Sequence, residues 1–416
     1  MNEELSYFKK GLYFGAGFSV FAFILAIAGY FIFKPSLSVA KQLSQKIEQK
    51  LGGGHFSDEV DPTSRIAINF DKRANPYLDK PFQTPKNYRN VYVNTASALS
   101  EAVRNANAEG GNVLISLADG EYKIKRTLNI KADNIALVSD NNKPEKVIIK
   151  ANGMFKHSRA TNLIKVSGDH FLLDGITLQG AIHHLIQIAG ENDADYPVIR
   201  NCVMRDSYQQ LLKVSYDKKG APEMSSDFGL IEHCQFYYSA GIGPNYYIGG
   251  VDAHAGNGWI IRNNSFKDIA SPDKRIAEHA IHIWNNSYNP IIINNTFEDC
   301  DRAIGLGMLK TRVHKNITYS NKGGLIKNNI IIHHDNGDPF ADTGIVIEDS
   351  PLTKIVGNRV WLEHDYPRAI EYRYKSTVEV LIENNITNKT ITSRDGGNAK
   401  VVNNKLSKSK KEVLKL

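Results

Sequence analysis

An element of the form I-x-N-N-x-F stands at Ile261–Phe266 and again at Ile292–Phe297. Degraded copies lie at Leu172–Ile176, Ile199–Met204, Ile231–Phe236, Ile326–Ile331, Ile355–Val360 and Leu381–Ile386. A repeat constrains the fold more tightly than composition does, because each copy must bury its apolar face against the next. With Asp174, Asn201, Cys234, Asn264, Asn295, Asn329, Asn358 and Asn385 taken as equivalents, successive copies are 27 to 34 residues apart. Short alternating runs separate them, with no long amphipathic helix. The pattern predicts an all-β chain: a single-stranded parallel β-helix in which each period is one coil and loops of unequal length absorb the drift. Asparagine suits the bends, since it tolerates left-handed backbone and can stack as a hydrogen-bonded ladder. These asparagines therefore belong to the fold.

A second strand is expected after each bend, and its alternation separates core from surface. In IHIW (281–284), Ile281 and Ile283 face inward and His282 and Trp284 outward. Stacking the equivalent strands at about 4.8 Å gives two outer columns. One reads Gln187, Lys213, Asp252, His282, Gly305, Val346, Glu371, Thr392. The other reads Ala189, Ser215, His254, Trp284, Gly307, Glu348, Arg373, Arg394. Acids, histidines, an indole and arginines thus share one external strip, and Asp301 and Arg302 follow at the next bend.

The rest of the chain divides around this region. Residues 1–10 form a tail, and Gly11–Phe33 are 23 uncharged, mostly apolar residues. As a helix that run spans about 34 Å, enough to cross a bilayer core. It exceeds the apolar core usual for a signal peptide, so the sequence predicts an uncleaved single-pass anchor in the cytoplasmic membrane, with the large domain outside the cytoplasm. Residues 34–90 read as a stem: a short polar helix over 39–51 ending at Gly52-Gly53-Gly54, then an extended stretch over 55–90 rich in proline and polar residues. A helix over 95–108 would cover the open end of the first coil. The β-helix is expected over 91–404, followed by a basic tail over 405–416. That tail supplies much of the +7 net charge, so the basic balance is no argument for nucleic acid. Three cysteines without C-x-x-C spacing signal neither a disulfide framework nor a zinc knuckle.

The coils, bends and N-terminal helix resemble the right-handed parallel β-helix proteins of the pectate-lyase-like superfamily. Within it, VDAH (251–254) followed one coil later by EHAI (278–281) resembles the D-P-H-D and K-H-G-I segments of bacterial alginate C5-epimerases. Asp252, His254 and His279 match those segments, whereas Ala253, Ala255 and Ala280 depart from them. The resemblance implies a polysaccharide lyase or uronate C5-epimerase acting on an acidic polysaccharide. Both reactions begin by removing the proton at C5 beside a carboxylate, whose developing charge must be neutralised. On this reading His254 and His282 act as base and acid, Asp252 fixes a histidine tautomer, and Arg302 or Arg373 pairs with the substrate carboxylate. His279 and Glu371 complete the catalytic set, and Trp284, Lys213 and Glu348 bind substrate. No cofactor is required, although Asp252, His254 and His282 could together hold a divalent metal ion. A non-catalytic glycan-binding protein and a metal-dependent hydrolase remain alternatives.

Overall fold

The computed structural model describes residues 75–78, 80–154, 159–217, 224–309 and 319–415. Across them the chain forms a parallel β-helix. Three parallel sheets run its length. The first has 12 strands from Arg89–Val93 to Ala399–Val402, the second 11 from Gly120–Lys123 to Lys405–Leu406, and the third 10 from Leu128–Ile130 to Thr390–Arg394. A coil visits them in turn, as in Ile260–Arg262, Ser265–Lys267 and Ile281–Trp284. The repeated element therefore holds two strands, one on each side of the bend, and the strip identified from sequence lies on a third.

The two asparagines of the repeat do different work. The first adopts left-handed backbone: φ is 56° at Asn263, 57° at Asn294 and 55° at Asn328. The second builds the ladder. Asn264 Nδ2 donates to Asn295 Oδ1 at 3.0 Å, Asn295 to Asn329 at 3.0 Å, Asn329 to Asn358 at 2.9 Å, Asn358 to Asn385 at 2.9 Å and Asn385 to Asn404 at 2.8 Å. Pairing of Arg200 with Glu232 and of Glu232 with Arg262 puts Asn201 in the left-handed column with His233 and Asn263. The equivalence drawn from sequence at Asn201 is thus one residue early, and, because Asp174 pairs with Arg200, the one at Asp174 is two residues early. Cys202 and Cys234 head the ladder as buried thiols, and Cys234 N donates to Asn264 Oδ1 at 2.8 Å.

Inward-facing residues stack as the outer ones do. Phe236, Phe266 and Phe297 form a column with ring centroids 4.8 and 5.0 Å apart. A slip of one residue in Ile281–Trp284 would turn Ile281 and Ile283 outward. Each buried isoleucine contributes roughly 1.5–3 kcal/mol, so alternation holds His282 and Trp284 on the outside of the sheet.

The helix Ala96–Ala108 is capped by Thr95, whose hydroxyl accepts from Ala98 N at 3.1 Å, and it buries Leu99, Ala102, Val103 and Ala106 in the core. At the other end the coils continue through Lys405–Leu406, and a short helix follows at Lys410–Leu414. The C-terminal part of the expected stem is not free. Tyr77, Phe82 and Tyr88 cover a stripe on the outer face of the first sheet formed by Ala136, Leu172, Val198, Leu230 and Ile260. Asn75 Nδ2 donates to the Gly258 carbonyl at 2.7 Å, and Arg262 Nη1 donates to the Tyr77 carbonyl at 3.0 Å. First-sheet strands such as Ile291–Ile293 are apolar on both faces, and this segment is what they meet. No helix among the described residues is long and apolar enough to cross a membrane. The expected anchor, Gly11–Phe33, lies outside the described residues.

Candidate active site on the third sheet

Register in the third sheet matches the columns read from sequence. Lys213 pairs with Asp252, Asp252 with His282, and His282 with Gly305, while His254 pairs with Trp284. The strip faces out from the sheet, yet its centre is closed from solvent: Asp252 is 2% exposed, His254 8% and His282 0%. Five rings seal it in one chain. Tyr216 stacks on His254 with centroids 4.7 Å apart, His254 lies 4.5 Å from Trp284, Trp284 4.8 Å from His282, and His282 4.6 Å from His279.

Inside this wall Lys213 makes a three-way contact. Its ammonium bonds the Asp252 carboxylate and lies 2.5 Å from His254 Nε2. An ammonium only donates, so His254 Nε2 presents its lone pair and its proton sits on Nδ1. Nδ1 lies 2.5 Å from the Asn285 side-chain amide. Turned to present its oxygen, that amide accepts the Nδ1 proton and both contacts are satisfied. Trp284 Nε1 donates to Asp252 Oδ1 at 2.7 Å. Burial alone would raise the Asp252 carboxyl, but the Lys213 ammonium beside it, with His254, holds it well below the usual carboxylate range.

The second group lies at the other end of the same strands. His282 Nε2 donates to the Gly307 carbonyl at 3.1 Å, and its Nδ1 lies 3.7 Å from Glu278 Oε2. Burial lowers His282 to about 4 and pushes His279 well below its ordinary value. Burial, with the Asp252 charge adding to it, raises the Glu278 carboxyl to about 7 against the opposing pull of Arg302 and Lys213. His279 lies flat over Gly305, where a Cβ would come within 2.6 Å of its ring. The apparent gap in the outer column is the seat of an imidazole arriving from the preceding turn. Arg302 reaches Asp342 at 3.4 Å, and its Nε is buried without a partner.

Several expectations need correcting. Glu371, Arg373 and Glu348 do not join the histidines. Three strand spacings, through Gly305 and Val346, separate His282 from Glu371, about 14 Å at the usual spacing. Glu371 accepts from Tyr366 Oη at 2.5 Å, Arg394 at 3.0 Å and Arg368 at 3.3 Å. Arg373 donates to Glu348 at 2.6 Å and Asp395 at 2.9 Å. These are ion pairs of the scaffold. His282 is wholly buried, so it does not touch a polymer lying on the strip. One face of Trp284 is taken by His282, with the rings 9° from parallel, so the indole is a wall and a donor rather than a sugar platform. Lys213 is a central member of the site. The metal set Asp252, His254 and His282 does not form, because Lys213 lies between the first two and His282 Nε2 is held by Gly307.

Sequence reading missed Tyr216, Glu278 and Asn285. Each stands within three residues of a strip strand: Tyr216 directly after LKVS, Asn285 directly after IHIW and Glu278 just before it. That adjacency was the available signal.

No protein-family model matches the chain, and no curated protein matches its sequence. Similar solved structures include an alginate lyase from Paenibacillus sp. str. FPU-7, 15% identical over 76% of this chain and 99% of that one, with a TM-score of 0.39. A mannuronan C-5 epimerase A-module from Azotobacter vinelandii is 14% identical over 75% and 93%, with a TM-score of 0.43. PfbA, a surface adhesin of Streptococcus pneumoniae, is 14% identical over 75% and 89%, also with a TM-score of 0.43.

Proposed function

We propose that this protein is a carbohydrate-active enzyme that abstracts the C5 proton of a uronic-acid-containing polysaccharide, as a lyase or a C5-epimerase. One observation carries the reading: Lys213 is held at once by a buried carboxylate and by the lone pair of His254 on the outer strip. That arrangement couples a proton acceptor to a proton donor at hydrogen-bond distance, as acid–base chemistry requires. The bound uronate draws Lys213 off His254 Nε2, the freed lone pair takes the C5 proton, and the C5–H electron pair moves into the carboxylate as an enediolate. Arg302, whose charge already acts on the Glu278 carboxyl, neutralises that developing charge. Lys213, on the same face of the ring as His254, then supplies a proton to the oxygen leaving C4 as the C4–O bond breaks, which is the lyase outcome; in the epimerase outcome C5 takes its proton from water on the opposite face, which inverts it. Asp252, fixed by Trp284, holds the couple in place. The apolar run Gly11–Phe33 would tether the enzyme to a membrane with the coils outside the cytoplasm; retention in the membrane fraction after alkaline carbonate washing tests this.

The test of function offers the full-length protein a panel of polyuronates. Ultraviolet absorbance records unsaturated ends, and proton NMR in deuterium oxide records exchange at C5. Unsaturated ends mean lyase, and exchange without cleavage means epimerase. His254→Ala should abolish either signal while leaving thermal unfolding in place. Binding without either signal would make the protein a non-catalytic glycan binder. Full activity in His254→Ala would refute the assignment.

A further inference from the structure

We infer that Glu278, His279 and His282 form a binding site for one divalent transition-metal ion of the zinc class. One carboxylate oxygen and one nitrogen from each imidazole lie within 4.8 Å of one another. Ligands on tetrahedral zinc stand about 3.3 Å apart. Glu278 Oε2 and His282 Nδ1 are already at 3.7 Å, and the Glu278 side chain, 28% exposed, is free to swing inward.

Orphaned nitrogens point to a ligand. Neither His279 nitrogen has a hydrogen-bond partner, nor does His282 Nδ1, and the two residues are 3% and 0% exposed. An unsatisfied buried polar group costs about 1–3 kcal/mol, so three together call for an occupant. The bland alternative, two neutral imidazoles packed as wall, leaves that cost standing. His282 also has the support usual for a ligating histidine: Nε2–H is given to the Gly307 carbonyl, which fixes the tautomer and aims the Nδ1 lone pair at Glu278. Gly305 completes the cradle. Its φ lies outside the left-handed range, so the backbone does not require glycine there. The His279 ring does, at 2.6 Å from where a Cβ would stand. Three protein ligands, with access past the partly exposed Glu278, leave a coordination position open.

This set shares only His282 with the one expected from sequence, and the binding claim stands whether or not uronates are substrates. The test uses untagged full-length protein stripped with chelator, then titrated with Zn2+ alone by calorimetry. Co2+ is substituted in parallel, because its visible absorption reports nitrogen and oxygen coordination. One equivalent is expected, with Co2+ absorption that disappears in His279→Ala and in His282→Ala. Gly305→Ala should weaken Zn2+ by about 10- to 100-fold, the usual cost of disturbing a group that supports a metal ligand. His254→Ala should keep full stoichiometry, since Lys213 and Asn285 engage that ring. The inference is overturned if no stoichiometric uptake occurs, if uptake survives His279→Ala, or if His254→Ala removes it. A failure here leaves the uronate assay untouched, and a negative uronate assay leaves this titration valid.

Discussion

Removing the Lys213 charge should do more damage than removing both charges of its pair. Lys213→Met leaves the Asp252 carboxylate, 2% exposed, with the Trp284 indole donating to it and His254 Nε2 3.7 Å away, but without a cation in contact. Breaking a buried ion pair from one side costs 3–5 kcal/mol, and the Lys213 side chain retains 12% exposure, so the lower end, about 3 kcal/mol, applies. Asp252→Asn keeps an acceptor for Trp284 or Lys213 but strands the ammonium, at about 2 kcal/mol. The double variant buries neither charge and should lose about 2 kcal/mol, against the 5 expected of independent sites. The coupling is therefore about 3 kcal/mol, read from urea midpoints at constant slope. Losses that add to within about 0.5 kcal/mol would refute the pair as the organising contact of the site.

Acid unfolding gives a second reading of the same pair. The folded-state pKa of Asp252 is depressed relative to an unfolded value of about 3.9. Its contribution is therefore present above pH 3.9 and is lost as pH falls through the depressed folded value. Lys213→Met removes the group that holds the carboxyl low, so acid unfolding of that variant should begin at higher pH than in the unaltered protein. An unchanged acid limb would count against the contact.

Two further predictions concern the scaffold. Asn295→Ala removes two donated and two accepted hydrogen bonds and leaves the Asn264 backbone N–H and the Ile261 carbonyl buried without the amide. It should cost about 2–4 kcal/mol in urea unfolding, with any uronate activity at permissive temperature intact. Glu371→Gln weakens the pairing with Arg394 and Arg368 and should lower stability while leaving activity within twofold. A selective loss of turnover would return Glu371 to the site.

Architecture and strip were legible in the chain for one reason. A parallel helix of coils turns sequence period into spatial register, so alternation in IHIW and VDAH fixed both the outward direction and the rung. What could not be read was lateral. Tyr216, Glu278 and Asn285 enter from turns, where no period governs direction, and they decide burial and charge. A column describes only what its own strands carry, so at Gly305 it could not show the His279 ring that lies over that residue. The ion pairs of Glu371 and Arg373 were misassigned because shared columns say nothing about which neighbour a long side chain will choose. The segment over 77–88 looked like linker because its partners, the doubly apolar strands of the first sheet, are spread over more than a hundred residues.

The outer face of a β-helix is normally wet, and in water two unit charges at contact attract by only about 1 kcal/mol. For Lys213 and Asp252 to organise chemistry, the strip has to be dried, and the ring chain from Tyr216 to His279 does that. Trp284 sits in its middle and contributes both a wall and a donor, and two substitutions separate those roles. Trp284→Phe keeps a ring between His254 and His282 but removes the N–H at 2.7 Å from Asp252. Losing a hydrogen bond to a charged group costs about 1.5–3 kcal/mol, so turnover should fall by roughly 10- to 100-fold with its salt dependence unchanged. Trp284→Ala also opens the wall, and water then screens the pair. Turnover should fall further, and the Lys213–Asp252 coupling measured in that background should shrink towards the value of an exposed pair, below about 1 kcal/mol. If the coupling keeps its full size with alanine at 284, the rings do not set the dielectric of the strip, and its electrostatics must come from the two charges alone.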